Sequence, residues 1–324
     1  MATSESAAVD FGDVEWDNRT DEMEATIDEW IDDLVAAIED ARGTERFTEW
    51  LEAASAFHEY SYKNQLLIRA QMPSATRVAG YNAWQDDFDR HVKEGESGIY
   101  IWRPKTITAS KCPHCGNAPG YHPGNESLDC PLGNSEPDEW DEDPDEWTRG
   151  SILIGFTTAT VFDVSQTEGE PLPELDCSAQ AGEAENMTEL LDTIQAASDT
   201  LGIDLTVKSP EEYDHKGQGY CETSGDTPSV VVKERDPAAM AGTIIHEYAH
   251  GILHTDEVNT KAERDKREVE AEGAAYIAGR RLGLDMSGSA FYLASWTDDD
   301  TEMIRDRLKR INKAAKEIVA AIEE

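Results

Sequence analysis

Apolar residues recur at helical spacing near the start of the chain. Between Thr20 and Ala41, Met23, Ile27, Trp30, Ile31, Leu34 and Ile38 return every three or four positions with Asp and Glu between them, which predicts an amphipathic helix. Similar runs predict a second helix over about 45–56 and a third over about 63–72, stopped by Pro73. Shorter alternating stretches predict strands at 77–79 and 98–102 around a short helix at 81–88. The pattern breaks over 111–149, where cysteines give way to the acidic run EPDEWDEDPDEW, and β-type sequence resumes at Ser151 with SILIGFTTATVFDV. Residues 111–149 therefore read as an insertion. Small and acidic residues at 176–186 read as a linker. Beyond it come a helix over 187–201, strands near 203–207 and 229–232, and mostly helix to the end.

This pattern implies an α+β chain with a disordered acidic tail over 1–19, an α/β domain over 20–175 holding the insertion, and a mainly helical domain over 187–324. At 324 residues the chain is long enough for two modest cores. Charge changes the picture: 68 acidic against 28 basic residues leave a net charge of −40. Repulsion on that scale opposes compaction unless it is screened, and molar cytoplasmic salt is the simplest screen. The acid is spread over both halves, which favours the proteome of an extreme halophile over a localised mimic of DNA. The N-terminus has no basic start or apolar core of a secretory signal, and no apolar run approaches membrane-spanning length, so the expectation is a soluble, cytoplasmic protein without a membrane partner. Five cysteines, three of them clustered, suit metal ligation in a reducing compartment.

Candidate chemistry concentrates in AAMAGTIIHEYAHGILH, opened by Asp236-Pro237, a strong helix start. His246 and His250 stand four apart, so both imidazoles leave one helical face and can share a zinc ion. Glu247 is placed to take a proton from water as catalytic base. The metzincin pattern fails, because Leu253 and Asp256 stand where it needs Gly and His. Three histidines at four-residue steps on one straight helix cannot close on one ion, so His254 reads as a solvated helix-end residue. On the next predicted helix, KREVEAEGAAYIAGRRLG, Glu268 and Glu272 share a face while Glu270 points about 160° away. Glu268 is the expected third ligand and Glu272 an acceptor that orients a ligand histidine. In the insertion, Cys112-Pro-His-Cys115-Gly forms a zinc-knuckle turn that His122 and Cys130 can complete, with His114 as the alternative to His122. Two zinc ions, one catalytic and one structural, follow from these sets.

Two stretches carry a resemblance. FHEYSYKNQLLIRAQMPSATRVAGYNAWQ, VKEGESGIYIWRP and VFDVSQTEGEPLP together resemble the N-terminal single-stranded-DNA-binding domain of ArdC-type antirestriction proteins. HEYAHGILH, EVEAEGAAYIAGRRLGLD and YLASW resemble the zincin-like metallopeptidase domain that follows it there, and are also similar to the ImmA/IrrE group of regulatory metallopeptidases. The resemblance implies single-stranded DNA as one partner, an unidentified protein or peptide as substrate, His246, His250 and Glu268 as ligands, and Glu247 as the catalytic residue. The family's lysine-rich turn is reduced here to Val92-Lys93-Glu94-Gly95-Glu96-Ser97-Gly98. Even so, seven basic against six acidic residues give +1 over 57–105 in a chain that is −40 overall. A phosphate-facing surface needs such restraint. Lys63, Arg69, Arg77 and Lys93 are the candidate phosphate contacts, with Tyr62 and Trp102 as candidate stacking platforms. Two other readings stay open: an ImmA/IrrE-like protease that cleaves a repressor, and a non-catalytic DNA-binding or DNA-mimic protein with structural zinc only.

Overall fold

This computed structural model describes residues 8–324, apart from 13, 40, 124, 126–128, 134, 141–142, 173–183, 226, 256–259, 290 and 292. The chain forms two compact units, one of residues 1–99 with 160–324 and one of residues 100–159.

In the larger unit the first apolar stripe builds α1 (Trp16–Ala37), with Met23, Ile27, Ile31 and Leu34 wholly buried along one face. Residues 1–7 of the expected disordered tail, 1–19, lie outside the described residues, and α1 starts within the rest. Phe11 is buried, and the Arg19 guanidinium gathers the carbonyls of Phe11 and Val14, which ties these two residues onto the start of α1. α2 (Ala41–Ala56) and α3 (Tyr62–Gln71) follow. β1 (Val78–Gly80), α4 (Tyr81–Asp86) and β2 (Arg90–Val92) then lead to β3 (Ile99–Ser110). β4 (Arg149–Asp163) lies between β1 and β3 in one sheet, and β5 (Thr167–Gly169) pairs antiparallel with β2. Asp163 fixes this corner: its buried carboxylate accepts the backbone N–H groups of Thr76, Arg77 and Ser165.

After α5 (Ala184–Leu201) comes a second sheet, β6 (Asp204–Lys208), β7 (Gly219–Glu222) and β8 (Ser229–Lys233). β8 is central, parallel to β6 and antiparallel to β7, and its Val230 and Val232 are wholly buried. Three long helices complete the unit: α6 (Pro237–Leu253), α7 (Lys261–Arg281) and α8 (Thr301–Glu323).

The N-terminal helices share a core with these last ones. Phe47 of α2 meets Trp296 edge-on at 5.4 Å between ring centroids, and Gly273 of α7 brings that helix within contact of Phe47 and of Ile311 on α8. Gln65 of α3 donates to Asn312 of α8 at 2.7 Å. The compact units thus divide the chain elsewhere than at the expected linker, 176–186, most of which falls outside the described residues. The smaller unit carries most of β3 and β4 and the cysteine-bearing segment between them. Among the described residues, no helix is long and apolar enough to cross a membrane.

Candidate functional site

α6 begins as its sequence dictates: the Asp236 side chain accepts the Ala239 N–H at 3.2 Å, with Pro237 at the first helical position. Ile244, Ile245, Tyr248 and Ala249 are wholly buried, so the helix is clamped on one side while His246 and His250 face the other way. Their Nε2 atoms are 3.1 Å apart. Glu268, about two turns into α7, brings an Oε2 to 3.5 Å from His246 Nε2 and 3.6 Å from His250 Nε2. These three donor atoms form a group able to hold a metal ion. The Glu268 side chain is 63 % exposed, so the group opens to solvent.

Each histidine is held from behind. His246 Nδ1 lies 2.9 Å from Glu272 Oε2. His250 Nδ1 lies 3.0 Å from Nδ1 of His254, whose Nε2 in turn lies 2.9 Å from Glu270 Oε2. Here the structure corrects a sequence expectation. His254 is 4 % exposed and Glu270 0 %, so neither is solvated. The reason is α8, which covers them: Arg307 donates to Glu270 Oε1 at 2.6 Å and to Asp299 Oδ2 at 2.5 Å, Arg310 pairs with Glu270 at 3.3 Å, and Lys266 pairs with Asp299. The signal for this was present, since Arg307 interrupts the apolar stripe of Ile304, Leu308 and Ile311 at a core position.

Electrostatics favour positive charge at the three donors. Burial lowers the His246 pKa, but hydrogen bonds to Glu268 and Glu272 outweigh it and raise the value to about 10. The same two imidazoles hold the Glu268 carboxyl well below the usual range. Glu247, beside the group and 7 % exposed, is pushed up by burial. A cleft of about 370 Å³ is lined by His246, Glu247 and Glu272, by Gln218 and Gly219 at edge strand β7, and by the 285–289 loop. A Cβ at Gly219 would come within 2.7 Å of Thr243 and 3.0 Å of Glu247 Oε1, so only glycine lets the strand pass this close to that carboxylate.

In the smaller unit Cys112, Cys115, His122 and Cys130 form a second group able to hold a metal. Cys112 and Cys130 sulfurs are 3.7 Å apart, and Cys115 Sγ is 3.5 Å from His122 Nε2. His122 is wholly buried, and its Nδ1 faces the Gly133 carbonyl at 3.1 Å, which leaves Nε2 toward the cysteines. Trp140, stacked on Trp147, packs edge-on against the imidazole. The acidic run therefore carries two aromatic residues of this small core, which its composition hid. Cys177 lies outside the described residues, and Cys221 stands apart from both groups.

Residues 17–162 match the N-terminal domain of anti-restriction factor ArdC. Over those residues the chain carries an ArdC-type N-terminal domain. An uncharacterized Bacillus anthracis protein is 26% identical over 294 residues, which are 82% of this chain and 46% of that protein, so the chain spans about half the length of the curated relative it matches. Two crystal structures of antirestriction ArdC protein from plasmid R388, one metal-free and one Mn(II)-bound, are 19% identical to it. Each comparison covers 91% of this chain and 97% of that one, with TM-scores of 0.46 and 0.47.

Within the ArdC-type domain the candidate DNA contacts are engaged in different ways. Lys63 is paired with Glu24 at 2.9 Å, and Arg69 donates to the Pro73 carbonyl. Lys93 donates to the Ser165 carbonyl at 2.7 Å, and Tyr62 is buried at the start of α3. Arg77 lies on the turn held by Asp163, and Trp102 is half-buried on β3 in the smaller unit. A surface that sequence reasoning passed over lies on β3 and β4. Over 100–111 and 149–159 there are four basic residues, Arg103, Lys105, Lys111 and Arg149, and no acidic one. Ile107, Leu153, Ile154 and Phe156 are exposed there, Phe156 by 62%.

Proposed function

We propose that this is an ArdC-type antirestriction protein that binds single-stranded DNA and carries a zinc metallopeptidase site on His246, His250 and Glu268. The observation that carries the second half is the donor triangle of 3.1, 3.5 and 3.6 Å. Three donors about 2.0–2.1 Å from one tetrahedral ion stand about 3.3 Å from each other, so two imidazoles and a carboxylate suit zinc and leave a fourth corner toward the cleft. Bound there, zinc supplies Lewis acidity that polarises an amide carbonyl and acidifies water. Glu272 holds the His246 ring through Nδ1, so that Nε2 is presented to the ion. Glu247 lies at the cleft with its proton affinity raised by burial, which suits a group that takes a proton from water and returns it to a leaving amine. Edge strand β7, beside Glu247, offers a wall along which an extended peptide can lie.

The cysteine group has the dimensions of a closed structural site. A tetrahedron with about 2.3 Å zinc–sulfur arms has sulfurs about 3.8 Å apart, close to the 3.7 Å between Cys112 and Cys130. Four protein ligands leave no open position, so this zinc would fix the fold of the insertion. Support for DNA binding comes from the ArdC match over 17–162 and from the basic, acid-free stretches 100–111 and 149–159 along β3 and β4 in a chain of −40. Phe156 offers a face for base stacking. We place the protein in a salt-rich cytoplasm, where charge attraction to phosphate is screened and stacking carries more of the affinity.

The test is Glu247→Gln in the full chain, assayed in high salt with a fluorogenic peptide library, elemental analysis and single-stranded DNA binding. Hydrolysis should vanish while metal content and DNA binding persist. Hydrolysis that survives the substitution would remove Glu247 as base and the metallopeptidase reading with it.

A further inference from the structure

His254 has no place in the donor set, yet it is the most deeply buried histidine of the larger unit's cluster and makes two short contacts through opposite ring nitrogens. Glu270 is acceptor-only, and Arg307 and Arg310 keep it so by pairing with its two oxygens. The contact at Glu270 Oε2 must therefore be donated by His254, as Nε2–H. A neutral imidazole has one donor and one acceptor, so Nδ1 of His254 is left as the acceptor. The 3.0 Å contact between the two Nδ1 atoms then requires His250 to donate, as Nδ1–H. That choice leaves the lone pair of His250 on Nε2, the nitrogen facing His246 Nε2 and Glu268 Oε2. With both rings neutral, no other assignment satisfies all three groups.

We propose that His254 is a positioning residue, which relays the buried charge of Glu270 to His250 and locks that ring with Nε2 turned to the metal. The inference rests on the metal-site reading above and deepens it. His246 and His250 are then oriented by unlike devices, a carboxylate directly for the first and a second imidazole backed by a carboxylate for the second. The second device depends on α8, because Arg307 and Arg310 are what hold Glu270 in place. His254 also ends α6, and Arg310 donates to the neighbouring Leu253 carbonyl at 2.8 Å, so the relay sits where the helix terminus is pinned.

The relay predicts opposite rankings for two replacements. In His254→Asn the side-chain oxygen falls near the place of Nδ1, so it accepts from His250 but no longer reaches Glu270. In His254→Gln the terminal amide falls near the place of Nε2, so it keeps Glu270 and abandons His250. Full-length variants would be titrated with zinc against a competing chelator, with His246→Ala marking loss of the site, and the stripped proteins would be melted in parallel. His254→Gln should bind about 10–100-fold more weakly than wild type, the usual cost of losing an orienting partner, while His254→Asn stays within about threefold. Thermal stability of the stripped proteins should rank the other way, Gln above Asn. Affinity that follows stability, or that is unchanged in both variants, would overturn the relay. A wild-type titration that His246→Ala leaves untouched would show that zinc does not bind on α6, which removes the metal-site reading and the relay together.

Discussion

Glu268 and Glu270 stand two residues apart on α7, and their replacement by glutamine should damage different things. Glu270 is wholly buried and accepts from His254 at 2.9 Å and Arg307 at 2.6 Å, with Arg310 at 3.3 Å. With its charge removed, Lys266 and Arg307 share Asp299 as the remaining carboxylate, and Arg310 loses its pairing with Glu270. Breaking a buried pair from one side costs about 3–5 kcal/mol. Asp299 still holds Arg307, and the glutamine carbonyl still accepts one hydrogen bond, so about 3 kcal/mol is expected for Glu270→Gln. For a chain of this size that corresponds to a melting point roughly 4–5 °C lower. Glu268 is largely exposed and its partners stay in reach of solvent, so Glu268→Gln should cost stripped protein clearly less than Glu270→Gln. It should nevertheless empty the histidine site of metal. The assay is equilibrium denaturation in molar potassium chloride with a chelator present, paired with elemental analysis of protein loaded without one. Stripped Glu270→Gln as stable as wild type, or Glu268→Gln that keeps its metal, would refute the division of labour.

Acid should act through the same network. The Glu270 carboxyl is held below its ordinary value, against the pull of burial, by His254, Arg310 and Arg307. Its stabilising contribution is thus complete above about pH 4.3, the unfolded value, and is lost as pH falls below that, so Glu270→Gln should flatten the acid limb of a stability–pH curve. Elemental analysis should find two zinc equivalents per chain, and Cys112→Ser with Cys115→Ser should remove one while the α6 site keeps the other. In gel shifts with the full chain, Phe156→Ala should weaken single-stranded DNA binding across the salt range, whereas Lys105→Glu should weaken it mainly at low salt, where phosphate attraction is least screened. Equal behaviour of the two variants would count against stacking.

Much of the helical order was legible because its stripes are regular. Met23, Ile27, Ile31 and Leu34 sit where their spacing placed them, on the buried face of α1. The pairing of Asp236 with Pro237 marked the start of α6 for local reasons that any context preserves. The three-residue strands β2 and β5 were not legible, because their pairing is set by distant partners rather than by alternation. The burial of His254 and Glu270 was missed for one reason: a residue left out of the donor set on α6, or turned away from it on α7, was given no other partner. What buried them is α8, whose Arg307 and Arg310 lie dozens of residues further along. Spacing along one helix shows which side chains share a face and is silent about what covers the opposite one. The division of the chain was hidden likewise, since helices separated by hundreds of residues share the core around Phe47, Trp296 and Gly273.

That shared core has a consequence for synthesis. Gln65 of α3 waits for Asn312, Asp28 of α1 for Arg305, and Phe47 of α2 for Trp296. A chain emerging from the ribosome must therefore hold α1, α2 and α3 with apolar faces uncovered until residues up to 312 have been made. The 100–159 unit is under no such delay, since its partners are contiguous in sequence. The late helix also supplies Arg307 and Arg310 behind Glu270, so the step that closes the N-terminal core is the one that backs the histidine cluster. A product truncated before α8 would lose both at once, and a half-finished chain could not expose an assembled histidine cluster to its neighbours.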